Sequence, residues 1–150
     1  MRVSTKGRYG LMALVHIAHG TQSQEARPVS VKSIAEKQGI SENYLEQIIA
    51  PLKKAAIVRS VRGANGGYYL ARCGDGLTAA EVLRILEGPL VPVDCVIDGI
   101  NVCGQVDCEL CVMKPTWNIL ADKINEVMGA VTIGDLARDF ARLTKERESR

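Results

Sequence analysis

The chain has 150 residues and a net charge of only +2, with 47% apolar and 4% aromatic residues, and this length fits a single domain. No apolar run approaches the roughly 20 residues of a membrane span, and residues 1–6 lack the apolar core of a secretory signal, so we expect a cytoplasmic protein without a membrane partner. The charge is uneven, because residues 1–72 carry 11 Lys and Arg against 4 Asp and Glu whereas residues 73–150 carry 8 against 13, so a polyanion partner is expected only on the first half.

Two helices are predicted first. Apolar residues spaced three and four apart predict a helix over residues 5–20. After a polar segment, Ser30 is expected to cap a second helix over residues 31–38. Gly39 suits the left-handed position that ends such a helix.

A third helix is predicted from Ser41, its N-cap, to about Ala56. Pro51 lacks a backbone donor and is expected to bend this helix or to split off its last turn. Helices two and three with the glycine turn between them indicate a helix-turn-helix, whose second helix offers its first residues to the major groove. Those residues are Ser41, Glu42, Asn43, Tyr44 and Glu46.

A β-hairpin is predicted next, with strands over residues 57–61 and 68–71 and a turn rich in glycine between them. Directly after a helix-turn-helix, such a hairpin is typical of the wing of a winged-helix domain. Arg59, Arg62 and Arg72 are then available to phosphates or the minor groove, although an ordinary hairpin with solvated arginines has the same composition. The residues expected to contact DNA are Arg2, Ser41, Asn43, Tyr44, Glu46, Arg59, Arg62 and Asn65.

Capping signals predict two helices in the second half. Residues 78–81 read Thr-x-x-Glu, a capping box that opens a helix ended by Gly88 and the proline after it. Residues 132–135 read Thr-x-x-Asp and open the last helix. Its end, residues 145–150, is a charged tail that is expected to fray.

Between these helices the sequence predicts a long amphipathic helix from Pro115 to Gly129. Its apolar stripe exceeds what the winged unit needs, which favours a homodimer interface, since winged-helix proteins that read DNA usually pair. Packing of the stripe on residues 82–86 of the same chain is the alternative. The stripe consists of Trp117, Leu120, Ala121, Ile124, Val127 and Met128.

Four of the five cysteines lie within seventeen residues, in the spacing C-x7-C-x4-C-x2-C, on a loop without periodicity. Thiolates are soft ligands that suit an iron-sulfur cluster or zinc. The odd cysteine count and the expected reducing compartment argue against a disulfide framework. The candidate ligands are Cys95, Cys103, Cys108 and Cys111.

Other functions of the cysteines remain open at this point. Structural zinc is a competitor, although zinc sites usually show two close cysteine pairs and only one is present. A metal-free thiol switch is another. Cys73 lies apart and is interpreted as a small apolar residue.

An enzyme is not expected, and neither is a small-molecule substrate. His16 and His19 are far in sequence from the thiols and are interpreted as packing or surface residues. The sequence shows no phosphate-binding glycine loop followed by a helix, no Ser-His-Asp arrangement and no paired acids. A cysteine-dependent oxidoreductase is therefore the weaker hypothesis.

Four segments carry a resemblance to a known family. They are MRVSTKGRYG (residues 1–10), GISENYLEQI (39–48), LKKAAIV (52–58) and VRGANGGY (61–68). They resemble the Rrf2 family of bacterial winged-helix regulators, whose members include IscR, NsrR and CymR. The resemblance implies a homodimer that binds promoter DNA and holds an iron-sulfur cluster through three loop cysteines, with [2Fe–2S] favoured over [4Fe–4S].

The resemblance assigns these three cysteines as Cys95, Cys103 and Cys111, with a spacing of seven residues where five is commoner. IscR-like members place a histidine where this chain has Lys114, and NsrR-like members an aspartate where it has Arg8, and neither side chain suits iron. The extra Cys108 is our hypothesis for the fourth ligand.

The resemblance also places Glu46 at a position that influences which operator IscR-like members accept. A carboxylate there accepts a hydrogen bond from cytosine N4 and repels phosphate. An ordinary exposed Glu in an ion pair is the alternative.

Taken together, these patterns predict a mainly α-helical fold with a small β-hairpin. Residues 1–76 form the winged helix-turn-helix, and residues 77–150 hold the cysteine loop and dimerisation helices, in one compact chain. The expected function is a transcriptional regulator whose operator binding responds to cluster supply, redox state or nitric oxide.

Overall fold

The computed structural model describes residues 2–21, 27–97, 100 and 108–150. These residues form six α-helices and one two-stranded antiparallel sheet, so the predicted mainly helical fold with a hairpin is confirmed. In chain order the elements are α1 (Thr5–Thr21), α2 (Val31–Gln38), α3 (Glu42–Lys54), β1 (Val58–Val61), β2 (Gly67–Leu70), α4 (Ala79–Glu87), α5 (Lys114–Ala130) and α6 (Ile133–Glu148).

Within the described ranges, no helix has both the length and the apolar character needed to cross a bilayer.

The helix-turn-helix begins and ends where its capping residues predict. The Ser30 hydroxyl accepts a hydrogen bond from the Ser33 amide at 3.1 Å, and the Ser41 hydroxyl accepts one from the Tyr44 amide at 3.1 Å. Gly39 takes the left-handed conformation, with φ 65°. The two caps satisfy amides that a helix start leaves unpaired, so local chemistry sets the boundaries of α2 and the start of α3.

α3 continues through Pro51 as one helix, so of the two expected effects of the proline its last turn is not split off. The kink expected near residues 47–51 stays a prediction. Ile48, Ile49 and Leu52 are buried on both sides of the proline, and their packing holds the segment helical despite the missing donor. The helix ends at Lys54, slightly before the predicted end.

The hairpin has the predicted strands within one residue. Its antiparallel register pairs Val58 with Leu70 and Val61 with Gly67. An unpredicted bridge adds Val29, whose amide donates to the Tyr68 carbonyl at 2.8 Å and whose carbonyl accepts from the Tyr68 amide at 2.8 Å. The hairpin is thereby fixed to the segment that enters α2.

The main hydrophobic core joins both halves of the chain. α1 lies at its centre and contacts α2, α3, α4, α6 and β2. The segments before α4 and α6 are paired, because the Ile133 amide donates to the Leu77 carbonyl at 2.8 Å and the Ala79 amide to the Val131 carbonyl at 2.9 Å. Residues of the helix-turn-helix, α4 and α6 therefore share one interior.

Two expectations for the second half need correction. The Thr78 hydroxyl caps α4 by accepting from the Glu81 amide at 3.2 Å, but the Glu81 carboxylate pairs with Arg72, so the reciprocal bond of a capping box is not formed. The charged tail is helical to Glu148 rather than frayed, because Arg142 pairs with Asp139 and Glu146 along its surface.

α5 packs on the protein along only one side. Ala121 is the one buried residue of this helix, with 8% of its surface exposed. Ile124 and Met128 pack on a second small core of Ala80, Leu83 and Leu90, which is the intramolecular alternative expected for part of the stripe. Of the other stripe residues, Leu120 and Val127 are 42% and 61% exposed and Trp117 is half-buried. Ile119, which is outside the predicted stripe, is 63% exposed.

Candidate nucleic-acid interface and cysteine centre

One polar edge of α3 faces solvent, while the opposite side of the helix packs in the core. Asn43 and Glu46 lie on the exposed edge, as the sequence predicts. Gln47 lies on it too, one turn after Asn43, and was not identified from the sequence. The spacing of four residues was the available signal, since such residues share a helix face. Asn and Gln side chains both suit adenine.

Two other predicted contact residues also have structural roles. The Ser41 hydroxyl is occupied in capping α3. Tyr44 is half-buried, and its ring meets the Tyr9 ring edge-on with centroids 6.2 Å apart. The structure brings both residues to the start of α3 with Asn43 and Glu46, but their side chains also stabilise the helix-turn-helix.

Glu46 faces the hairpin. Burial raises the pKa of Tyr68 above its ordinary value, and the negative charge of Glu46 raises it further. Glu46 is exposed and takes part in no ion pair with the described side chains. The Glu46 carboxylate on α3 is thus near enough to Tyr68 of the wing strand β2 to affect its pKa, and its role at the operator stays a prediction.

All four polar residues predicted on and after the wing are exposed, but one of them is in an ion pair within the chain. Arg59, Arg62 and Asn65 are exposed. The guanidinium of Arg72, although exposed, pairs with Glu81 of α4. A contact of Arg72 with phosphate would have to replace this ion pair, and it stays a prediction.

Arg2 lies on the N-terminal arm, which we define as residues 2–4, directly before α1. Its side chain is exposed. The arm is held to the fold at Ser4, whose amide and hydroxyl donate to the Glu87 carboxylate at 2.9 and 2.7 Å. Arg2 thus lies two residues before a fixed point, Ser4, at the N-terminus of α1.

Two of the candidate ligand cysteines lie near α5. Cys95 is in a short 3-10 turn, Asp94–Val96, that contacts α5, and Cys111 lies three residues before the helix begins. Both are half-buried free thiols. Cys103 lies outside the described residues, and only the backbone of Cys108 is described. The structure therefore locates one thiol at each end of the cysteine loop.

Cys73 is exposed, with its sulfur 4.0 Å from a carboxylate oxygen of Asp75. It lies apart from the loop cysteines, and its interpretation as an inert residue rather than a ligand stays a prediction. The residue follows the wing strand on a turn that leaves the core, which places its side chain in solvent.

His16 is the buried polar residue of the core, with 6% of its surface exposed. Its ring meets the Phe140 ring edge-on with centroids 5.0 Å apart, and Nδ1 has no hydrogen-bond partner among the described residues. Burial lowers the pKa of His16 below its ordinary value, with smaller contributions from the positive charges of Lys37 and His19. The packing role expected of His16 is confirmed.

Comparison with known proteins shows which family this chain belongs to. The family model for Rrf2, described as an iron-dependent transcriptional regulator, matches residues 3–139. The chain is 40% identical to the transcriptional regulator CymR of Bacillus subtilis strain 168 over 139 residues, which cover 91% of this chain and 90% of CymR. The chain belongs to the Rrf2 family.

Solved structures agree with the Rrf2 assignment. T. potens IscR is 40% identical and superposes with a TM-score of 0.73, covering 93% of this chain and 88% of IscR. An oxidised form of Staphylococcus aureus CymR is 34% identical, with a TM-score of 0.71 and coverage of 91% and 96%. Like these Rrf2 proteins the chain is a DNA-binding transcriptional regulator and not an enzyme, and its fold is a winged helix.

The cysteine loop can be tested for its fit to an iron-sulfur cluster by its donor set. Four thiols supply the number of ligands that [2Fe–2S] and [4Fe–4S] clusters use in proteins. The two loop thiols that the structure describes, those of Cys95 and Cys111, are unpaired, partly accessible and close to α5. No three metal-binding side chains cluster among those described, a set that lacks the side chains of Cys103 and Cys108. The donors present fit the cluster.

Proposed function

We propose that this Rrf2-family regulator is a cytoplasmic homodimer whose grip on promoter DNA is tuned by an iron-sulfur cluster on the cysteine loop. The proposal rests on the positions of Cys111, three residues before α5 begins, and of Cys95, in a turn that contacts α5. The same helix presents an unpacked apolar face, including Ile119 and Val127, that suits a second copy. A change at the thiols therefore acts at α5, the helix that would join the winged helix-turn-helix units of two copies. We call these two units the reading heads.

Each reading head uses two kinds of contact. Asn43, Gln47 and Glu46 on α3 can reach base edges in the major groove. Arg59 and Arg62 on the wing are free to meet phosphates or the minor groove. Base contacts specify the operator, whereas the arginines and Arg2 mainly position the head.

The proposed ligands of the cluster are Cys95, Cys103, Cys108 and Cys111, with Cys108 in place of the histidine or aspartate of other members. When bound, an iron-sulfur cluster supplies one-electron redox chemistry and sensitivity to oxidants. The chain itself supplies the response: drawing the thiols together fixes the loop against the start of α5, and so fixes the distance between two reading heads.

The assignment of Cys108 has its own test. Replacing Cys108 with Ala should remove most of the iron and visible absorbance from anaerobically reconstituted protein, since one ligand is lost. The matched control is the replacement of Cys73, which lies outside the loop, with Ala. It should change neither the iron content nor the visible absorbance. Unchanged iron content in the Cys108 variant would reject its assignment as a ligand.

A metal-free thiol switch is the second candidate, and zinc bound by the same thiols is a third. The thiol switch is favoured by the similarity to CymR, because the structure of Staphylococcus aureus CymR has been solved in an oxidised form. Metal analysis separates the three. Iron with acid-labile sulfide supports the cluster, zinc supports a structural site, and metal-free protein with an oxidisable thiol pair supports the switch.

DNA binding is tested by selecting duplexes from a random library and measuring their affinity by fluorescence anisotropy at several salt concentrations. Affinity should fall with salt, with a logarithmic slope of about −0.9 for each phosphate neutralised. Replacing both Arg59 and Arg62 with Ala should reduce the slope by about 1 to 2. Replacing Arg138, an exposed arginine on α6, with Ala is the control that should leave the slope unchanged.

A further inference from the structure

The end of α4 connects the N-terminal arm to the cysteine loop through residues Glu87–Leu90, which we call the α4–loop joint. On one side of it lies Ser4, which precedes α1. On the other side lies Asn125 of α5. Both are bound to the joint by hydrogen bonds.

On the arm side, the Glu87 carboxylate accepts from both the amide and the hydroxyl of Ser4. The Ser4 hydroxyl in turn accepts from the Gly7 amide at 3.1 Å, so Ser4 caps α1 while Glu87 holds the cap. A Cβ at Gly7 would fall 1.9 Å from a Glu87 carboxylate oxygen. The first turn of α1 therefore contacts the Glu87 side chain directly. The negative charge of this carboxylate also interacts favourably with the dipole at the N-terminus of α1.

On the loop side, the Asn125 amide nitrogen donates to the Leu90 carbonyl at 2.9 Å and to the Ala121 carbonyl at 2.8 Å. Its carbonyl oxygen accepts from the Arg84 guanidinium at 2.5 Å. The side chain of Asn125 thus ties the first residues of the cysteine loop to α5 and α4 together.

The joint itself is short and restrained. Gly88 has φ 89°, in the region that favours glycine, and Pro89 fixes the next φ. Leu90 is 4% exposed and shares the second small core with Val3 of the arm and with Ile124 and Met128 of α5. A shift of the loop against α5 therefore displaces Leu90, and with it the packing of the arm.

We propose that Glu87 and Asn125 are positioning residues that transmit the state of the cysteine loop to the DNA-binding unit through the α4–loop joint. Asn125 holds the loop side and Glu87 sets the arm that carries Arg2. The inference rests on the proposed function, because it requires the thiols to tune DNA binding. It adds the route by which the cysteine loop affects DNA binding. This route needs no direct contact between the loop and α3.

The first test measures operator affinity in two states, with the loop stripped by chelator under reducing conditions and with the protein reconstituted anaerobically with ferrous iron and sulfide. The wild-type ratio of affinities should lie in the roughly 5- to 150-fold range of allosteric coupling. In Asn125→Ala and in Glu87→Ala it should fall below about threefold. Glu87→Gln keeps an acceptor for Ser4 and should restore much of the ratio.

Matched controls are Asn118→Ala, an exposed asparagine two turns earlier on α5, and Glu148→Ala, an exposed glutamate at the end of α6. Both should keep the wild-type ratio. If both joint variants also keep it, the proposed route is wrong although the proposed function stands. If the wild-type protein itself shows a ratio of one, the proposed function fails instead.

The second test needs no substitution, so it can test the role of the α4–loop joint even if a variant does not fold. Amide hydrogen exchange of the wild-type protein, followed by NMR, reports on the Ser4 and Gly7 amides that Glu87 and the Ser4 hydroxyl protect. Their protection should differ between the stripped and reconstituted states. Equal protection of both amides, alongside different operator affinities, would overturn the role of the joint.

Discussion

Single side chains of the reading head combine folding and recognition to different degrees. Ser41 caps α3 and Tyr44 packs on Tyr9, so substitutions at these residues will affect the helix as well as DNA. Asn43, Glu46 and Gln47 have exposed side chains on the same edge and are free to act on bases. The sequence could predict the start of α3 from its cap, but it did not identify Gln47 or the commitment of Arg72 to Glu81.

Replacing Glu46 with Ala should broaden the set of operators that the protein accepts. The free carboxylate repels phosphate and disfavours bases that offer no donor, so its removal lifts a penalty of about 1–3 kcal/mol at mismatched positions. Selection from a random duplex library, followed by sequencing, measures the breadth of the bound set. Replacing the exposed Glu36 on α2 is the control, and an unchanged set in the Glu46 variant would contradict the role.

Replacing His16 with Phe should reduce the pH dependence of stability. Burial lowers the pKa of His16 in the folded state, so between that value and the ordinary value near 6.5 the unfolded chain binds the additional proton. The free energy of unfolding of the wild-type protein should therefore decrease as pH falls through this interval. Urea unfolding between pH 5 and pH 8, followed by circular dichroism, measures the slope, which should be smaller in the variant. Equal slopes in the two proteins would show that His16 contributes nothing to the pH dependence of the free energy of unfolding.

At the scale of elements, periodicity and capping predicted nearly every helix and strand. Alternation and a glycine turn defined the hairpin, and Ser30, Ser41 and Thr132 marked helix starts. What failed depended on tertiary contacts. The core kept α3 continuous through Pro51, and ion pairs kept the end of α6 helical. Ala56 takes a left-handed conformation, with φ 57°, that its sequence does not favour.

The exposed face of α5 should join two copies of the chain. Replacing Ile119 and Val127 together with Asp should convert a dimer to a monomer and reduce operator affinity, because charges would be buried without partners. Light scattering after gel filtration measures the mass. Replacing the same two residues with Leu keeps the face apolar and should preserve the dimer. A monomeric wild-type protein, or a dimeric Asp variant, would contradict this interface.

Among the described residues, the two halves of the chain share one core, and the turn that carries Cys95 contacts α5. α6 packs on α1, α4 packs on α1 and α3, and α5 rests on α4. Sequence could indicate a winged unit, a thiol loop and an amphipathic helix, because each has a local pattern. It could not show that Glu87 meets Ser4 or that Asn125 meets Leu90, since these contacts join residues 83 and 35 positions apart.

The central claim is that the loop thiols control how strongly the regulator holds its operator. The most direct measurement is the operator affinity of stripped and reconstituted protein, compared between the wild-type chain and a variant with Cys95 and Cys111 replaced by Ser. The account predicts a difference of roughly 5-fold or more for the wild-type protein and equal affinities for the variant. Equal affinities in the wild-type protein at every salt concentration would contradict it.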